Sequence, residues 1–86
     1  MNKKLVSIVL RTKNEELWIG RFLKGLKKQL SPFNIEVIIV DNNSTDQTIK
    51  RALSLYENIK IVRITKYIPG ASLNRGVEAA NGDYIV

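Results

Sequence analysis

Apolar residues in this chain follow two rhythms, one suited to strands and one to helices. Residues 5–10, Leu-Val-Ser-Ile-Val-Leu, form a short β-branched run with the length of a buried strand. Asn14 then stands as a candidate helix cap, with Glu15 and Glu16 in a first turn where negative charge suits the helix dipole. Over residues 17–30 the period becomes helical. Trp18, Ile19, Phe22, Leu23, Leu26 and Leu30 share one arc at about 100° per residue, and Arg21, Lys24, Lys27 and Lys28 share the other. That pattern assigns Trp18 to the core and leaves only Leu17 out of place. Ser31-Pro32 ends the helix, because the residue before proline avoids helical geometry.

Residues 36–40 are nearly continuous in Val and Ile, as expected of a parallel strand covered on both faces. Ser44, with Gln47 three positions later, matches a capping box at the start of a second helix. Ile49, Leu53 and Tyr56 mark its predicted buried stripe, with Ala52 beside them. Residues 59–64 predict a third strand. Residues 70–81 predict a third helix that buries Leu73, Val77 and Ala80 and stops at a left-handed Gly82. Gly76, inside that helix, implies close packing on the sheet. A fourth strand begins at Tyr84. Strands alternating with helices imply right-handed crossovers. The expected fold class is α/β: a three-layer α/β/α sandwich with a mainly parallel sheet in the order β-α-β-α-β-α-β.

Size and composition narrow this picture. Eighty-six residues make one domain, 1–86, with no linker, repeat or low-complexity tract. The absence of Cys and His excludes thiol chemistry, thiolate metal sites and histidine bases. No apolar run approaches the roughly 20 residues needed to span a bilayer. Without a signal-peptide core either, the default compartment is cytoplasmic. The net charge of +6 is uneven: residues 1–30 hold eight basic side chains against Glu15 and Glu16, and from residue 31 onward the charges cancel. The basic face of the first helix is therefore a solvated face or, on a weaker reading, a contact with an anionic surface at the inner membrane face.

Ligands of open α/β sheets gather at the carboxyl ends of the strands. Here that edge is built from residues 11–14 and 41–44. Asp41, at the tip of the second strand, only accepts hydrogen bonds and so suits a ring imide N–H or a sugar hydroxyl pair. Capping the second helix, or pairing with Lys13, would equally explain it. Thr12 and Asn14 offer small polar groups to the same crevice, and Arg11 and Lys13 place two cations at its mouth, suited to a diphosphate. There is no G-x-G-x-x-G and no P-loop, and no acidic pair ends the first strand.

Three segments in series resemble the amino-terminal half of the nucleotide-binding region of family 2 glycosyltransferases, inverting enzymes with the Rossmann-like GT-A fold. V-S-I-V-L-R-T-K-N-E-E over 6–16 is similar to that family's V-S-I-I-I-P-T-Y-N-E, and V-D-N-N-S-T-D over 40–46 to its V-D-D-G-S-T-D. N-R-G-V-E-A-A-N-G-D-Y-I over 74–85 is similar to N-x-G-x-x-x-A-x-G-D-Y-I. The resemblance implies that Asp41 binds the nucleobase of a nucleotide-sugar donor, UDP-linked, through the uracil imide. It implies that Thr12, Asn14 and Glu15 line the base and ribose pocket, and that Asn74 lies near the donor. Arg11 and Lys13 stand where proline and tyrosine are commoner, and Asn43 stands at a glycine position, where it must tolerate a tight turn.

The family's D-x-D motif, which holds Mg²⁺ or Mn²⁺ on the donor diphosphate, has no counterpart in these residues, nor has its catalytic base. The implied acceptor is a sugar, a lipid-linked molecule or a protein. The chain alone is expected not to turn over, and to associate through the sheet edge beside its fourth strand. A competing reading keeps the fold without the catalysis: a module whose basic first helix meets a partner or an anionic membrane. Nucleic acid fits less well, since no stacking aromatics are interleaved with the basic residues.

Overall fold

The unbroken Val/Ile run of residues 37–40 needs cover on both faces, and the fold supplies it. A computed structural model, describing residues 3–29 and 32–86, shows β1 (Leu5–Thr12), α1 (Glu16–Lys28), β2 (Asn34–Asn42), α2 (Thr48–Leu55), β3 (Ile59–Ile64), α3 (Ala71–Ala79) and β4 (Tyr84–Ile85). The four strands form one sheet in the order β3-β2-β1-β4, and every pair is parallel. This is the expected α/β/α arrangement.

Side chains alternate across the sheet, so neighbours along a strand serve different layers. On one face Val37 and Ile39 pack with Ile19 and Leu23 of α1 and Ala52 of α2, joined by Leu10, Ile59 and Ile61. On the other face Val9, Ile38 and Val40 meet α3 at Gly76. A Cβ at Gly76 would lie 2.6 Å from Val9 Cγ1 and 2.7 Å from Val40 Cγ2, so this glycine sets how closely α3 approaches.

Several local expectations give way to this packing. α3 buries Ser72 and Gly76, its small residues, and leaves Val77 41% exposed; Ala80 lies past its last turn. Leu53 faces solvent, because α2 is only eight residues long and turns Thr48, Ala52 and Leu55 inward. Trp18 is also outside the core. Neither predicted cap forms: Glu15 and Gln47 occupy the N-cap positions of α1 and α2 without side-chain bonds. α1 ends at Lys28, whereas Leu30 and Ser31, invoked for its apolar arc and its stop, lie outside the described residues.

Gly82 is not left-handed; Gly70, before α3, is the glycine with positive φ (82°). What Gly82 provides is room. A Cβ there would lie 2.4 Å from Ser7 Oγ and 2.7 Å from both Ser7 N and Tyr84 O. Its amide donates to Ser7 Oγ (2.8 Å), and Ser7 Oγ donates to Glu36 Oε2 (2.5 Å). The Asn81 amide donates to the same Glu36 oxygen (2.5 Å). Lys60 Nζ lies 3.5 Å from Glu36 Oε1 and donates to Ala79 O (2.9 Å) at the end of α3. Glu36 is 2% exposed, so it fastens the α3–β4 turn to β1 and β2 from inside. Burial alone would raise its pKa. The bonds from Ser7 and Asn81 and the Lys60 charge outweigh that, holding the carboxyl below its ordinary value.

Two outcomes are expected. Gly82→Ala, which must displace backbone atoms, should destabilise the chain by about 1–3 kcal/mol in urea unfolding. Because the folded pKa of Glu36 is depressed, its contribution should be complete above its ordinary 4.5 and lost as pH falls through the lower folded value. Glu36→Gln should flatten that acid limb in urea midpoints measured across pH.

Candidate functional site

The tips of β1 and β2 are held in register, Thr12 beside Asp41. Both residues lie on the α1/α2 face, and both are almost completely buried. Thr12 Oγ1 donates to Asp41 Oδ1 (2.6 Å), Ser44 Oγ donates to the same oxygen (2.6 Å), and the Ser44 amide donates to Oδ2 (2.9 Å). Asp41 thus neither caps α2 nor pairs with Lys13, whose Nζ donates to Asn42 O (3.2 Å) instead.

From this point the two loops stitch each other together. The Asn14 amide donates to Ser44 Oγ (2.9 Å), and Asn14 Oδ1 accepts from the amides of Thr45 (2.8 Å) and Asp46 (3.3 Å). The first free amides of α1 find partners on the α2 side: Glu15 N donates to Thr48 Oγ1 (2.8 Å) and Glu16 N to Asp46 Oδ2 (3.3 Å). Asp46 Oδ1 accepts from the Thr48 amide (2.9 Å) and from the Thr48 hydroxyl. Desolvation pushes the Asp46 pKa up, but these bonds from Thr48 and Glu16 hold it below its ordinary value. The amides that open α1 are therefore capped from the α2 side, whereas α2 itself is capped locally by Asp46. Asn14 and Asn43 both take left-handed geometry at φ 53°, a region that asparagine tolerates.

On the other side of the sheet edge, alternation turns Arg11 and Asn42 toward a cleft of about 290 Å³ lined by Arg11, Lys13, Glu15, Asn42 and Tyr67. That is near the lower end of the roughly 300–1,000 Å³ usual for small-molecule sites. The Arg11 guanidinium sits 4.5 Å from the centre of the Tyr67 ring, a cation–π contact that fixes it at the rim. A larger hollow of about 680 Å³ lies at the opposite, amino end of the strands, away from this chemistry.

The five predicted site residues are thus divided. Thr12 and Asp41 are buried on the opposite face and outside the cleft's lining, Glu15 lines it, Asn14 is turned into the loop junction, and Asn74 on α3 is also outside the lining. Asn42 lay within the predicted edge of residues 41–44 without being singled out, and Tyr67 was not anticipated. Strand parity would have found Asn42: once Asp41 points inward, its successor must face the other way.

Residues 7–86 match the sequence pattern of Glycosyl transferase family 2. The chain belongs to this family. An uncharacterized glycosyltransferase of Haemophilus influenzae is 35% identical over 99% of the chain, which spans only 35% of that relative. Residues 1–349 of Staphylococcus aureus TarS, solved with UDP-GlcNAc, superpose with a TM-score of 0.79 at 29% identity, over 94% of this chain and 25% of that TarS fragment. The mannosyltransferase PcManGT of Pyrobaculum calidifontis, solved with GDP-Man and Mn²⁺, gives 0.79 at 25% identity, over 99% and 27%. Among the described residues no three carboxylates gather, and Glu15 is the one acid lining the cleft. Among the same residues no helix is long and apolar enough to cross a membrane.

The stitched junction yields two expectations. Thr12→Val keeps the shape but removes a buried donor from Asp41, and should cost about 1–3 kcal/mol in urea unfolding. Asn43→Val should cost about 1–2 kcal/mol by the same measurement, for a β-branched residue forced into left-handed backbone, whereas Asn43→Gly should be tolerated.

Proposed function

We propose that this chain forms the donor-nucleotide-binding part of an inverting glycosyltransferase that takes a UDP-sugar and delivers the sugar to an acceptor hydroxyl. The observation that carries the reading is the cleft at the carboxyl edge, where the tips of β1 and β2 meet Tyr67. Its volume suits a nucleoside better than a whole nucleotide sugar. Asp41 has no exposed surface, so this reading moves the base contact from Asp41 to Asn42. An asparagine amide both donates and accepts, matching the imide N–H and carbonyl of uracil. Thr12 and Asp41 fix the two strand tips from the opposite face, Glu15 faces the ribose, and Arg11 with Lys13 offers positive charge to the diphosphate. Asn74 receives no contact in this scheme. Mg²⁺ or Mn²⁺ belongs to groups other than those described. The acceptor is a hydroxyl on a sugar, a lipid-linked molecule or a protein.

TarS binds UDP-GlcNAc and PcManGT binds GDP-Man, so the test must compare the two bases. Titrating UDP and GDP while following backbone amide shifts should give saturable changes at Arg11, Asn42 and Tyr67, tighter for UDP. Asn42→Ala should weaken UDP by about fivefold or more, the loss of one hydrogen bond of ~1 kcal/mol, and Asn74→Ala should not. A folded sample with no shifts at the cleft would favour the non-catalytic module instead.

A further inference from the structure

Leu17, the residue off the apolar arc of α1, and Trp18, on that arc but outside the core, follow each other on the exposed start of the helix. Leu17 is 70% exposed and Trp18 46%, and the Trp18 ring stacks on Phe22 with centroids 5.2 Å apart and planes within 10°. Leu17, Arg21, Lys24 and Lys28 are spaced i, i+4, i+7 and i+11, so they form a single outward stripe roughly 16 Å long. All four are exposed, and Gly25, between them, has open space where a side chain would stand. Glu16 is the only acid in the helix.

An aliphatic and an aromatic residue at one end of a cationic stripe make this face amphipathic rather than uniformly charged. An anionic bilayer surface accommodates both. Leucine and tryptophan enter the headgroup boundary, while long basic side chains keep their charges among lipid phosphates. Duplex nucleic acid would satisfy the charges but offers no apolar phase for Leu17 and Trp18. We propose that the outer face of α1 docks on an anionic lipid surface, with Leu17 and Trp18 entering it and Arg21, Lys24 and Lys28 contacting lipid phosphates. None of these five residues lines the donor cleft, so docking and nucleotide binding can fail independently.

The test is co-sedimentation of the 86-residue chain with phosphatidylcholine vesicles, with and without phosphatidylglycerol, read alongside the emission of Trp18, the only tryptophan. Binding should require phosphatidylglycerol, weaken with salt and shift Trp18 emission to the blue. Each basic residue near the surface contributes about fivefold in partitioning, so Lys24→Glu with Lys28→Glu should lower it at least about 25-fold. Leu17→Ser should reduce both partitioning and the blue shift. Circular dichroism should not change, since every substituted side chain is exposed. Absence of binding to phosphatidylglycerol vesicles would overturn the proposal. So would equal binding to neutral vesicles, binding without a Trp18 shift, or tighter binding to duplex DNA at the same salt.

Discussion

A carboxylate with no exposed surface is costly unless donors surround it, and Asp41 is such a group. Three neutral donors from Thr12 and Ser44 meet its oxygens, and the rest of the candidate site follows from that requirement. Ser44, held by Asp41, accepts the Asn14 amide; Asn14 in turn holds Thr45 and Asp46, and Asp46 reaches back to α1. Because the loops after β1 and β2 share these bonds, neither helix start can shift without disturbing the other strand tip. Glu36 does the corresponding work at the far end of the sheet and on its other face, tying the α3–β4 turn to β1. Two buried acids, one per face, therefore fasten opposite ends of a small α/β sandwich.

The order of elements was legible because it rests on periodicity. β3 appears at residues 59–64 as read, and the continuous 36–40 run lies at the centre of a fully parallel sheet. The close approach read from Gly76 holds, but the pattern did not show that Ser72 would join it in place of the apolar side chains. α3 presents Ser72 and Gly76 to the sheet rather than its larger Leu73 and Val77, because close approach outweighs apolar volume there. Trp18 and Leu53 sat on apolar arcs by count, yet α1 and α2 are covered over narrower stripes than those arcs implied.

At the candidate site, the Thr12–Asp41 pairing follows from the register of two adjacent parallel strands, whose tips the sequence placed at those two residues. The sequence could not show that the start of α1 would be capped from the α2 side, since partners some thirty residues apart leave no local signature. The capping-box spacing of Ser44 and Gln47 was satisfied in sequence and unused in space, because the Ser44 hydroxyl was already committed to Asp41. Tyr67 sits in a connection without periodicity, so only the fold brings it over Arg11.

The strand order has a consequence for how such a domain can be elaborated. The notch lies between β1 and β2, the two inner strands, whereas β3 and β4 form the flanks. Additional strands joining beside β4 would lengthen the sheet sideways without crossing the notch or touching the loops that shape it. Lateral growth and ligand recognition thus occupy perpendicular directions, and one can be rebuilt while the other is conserved.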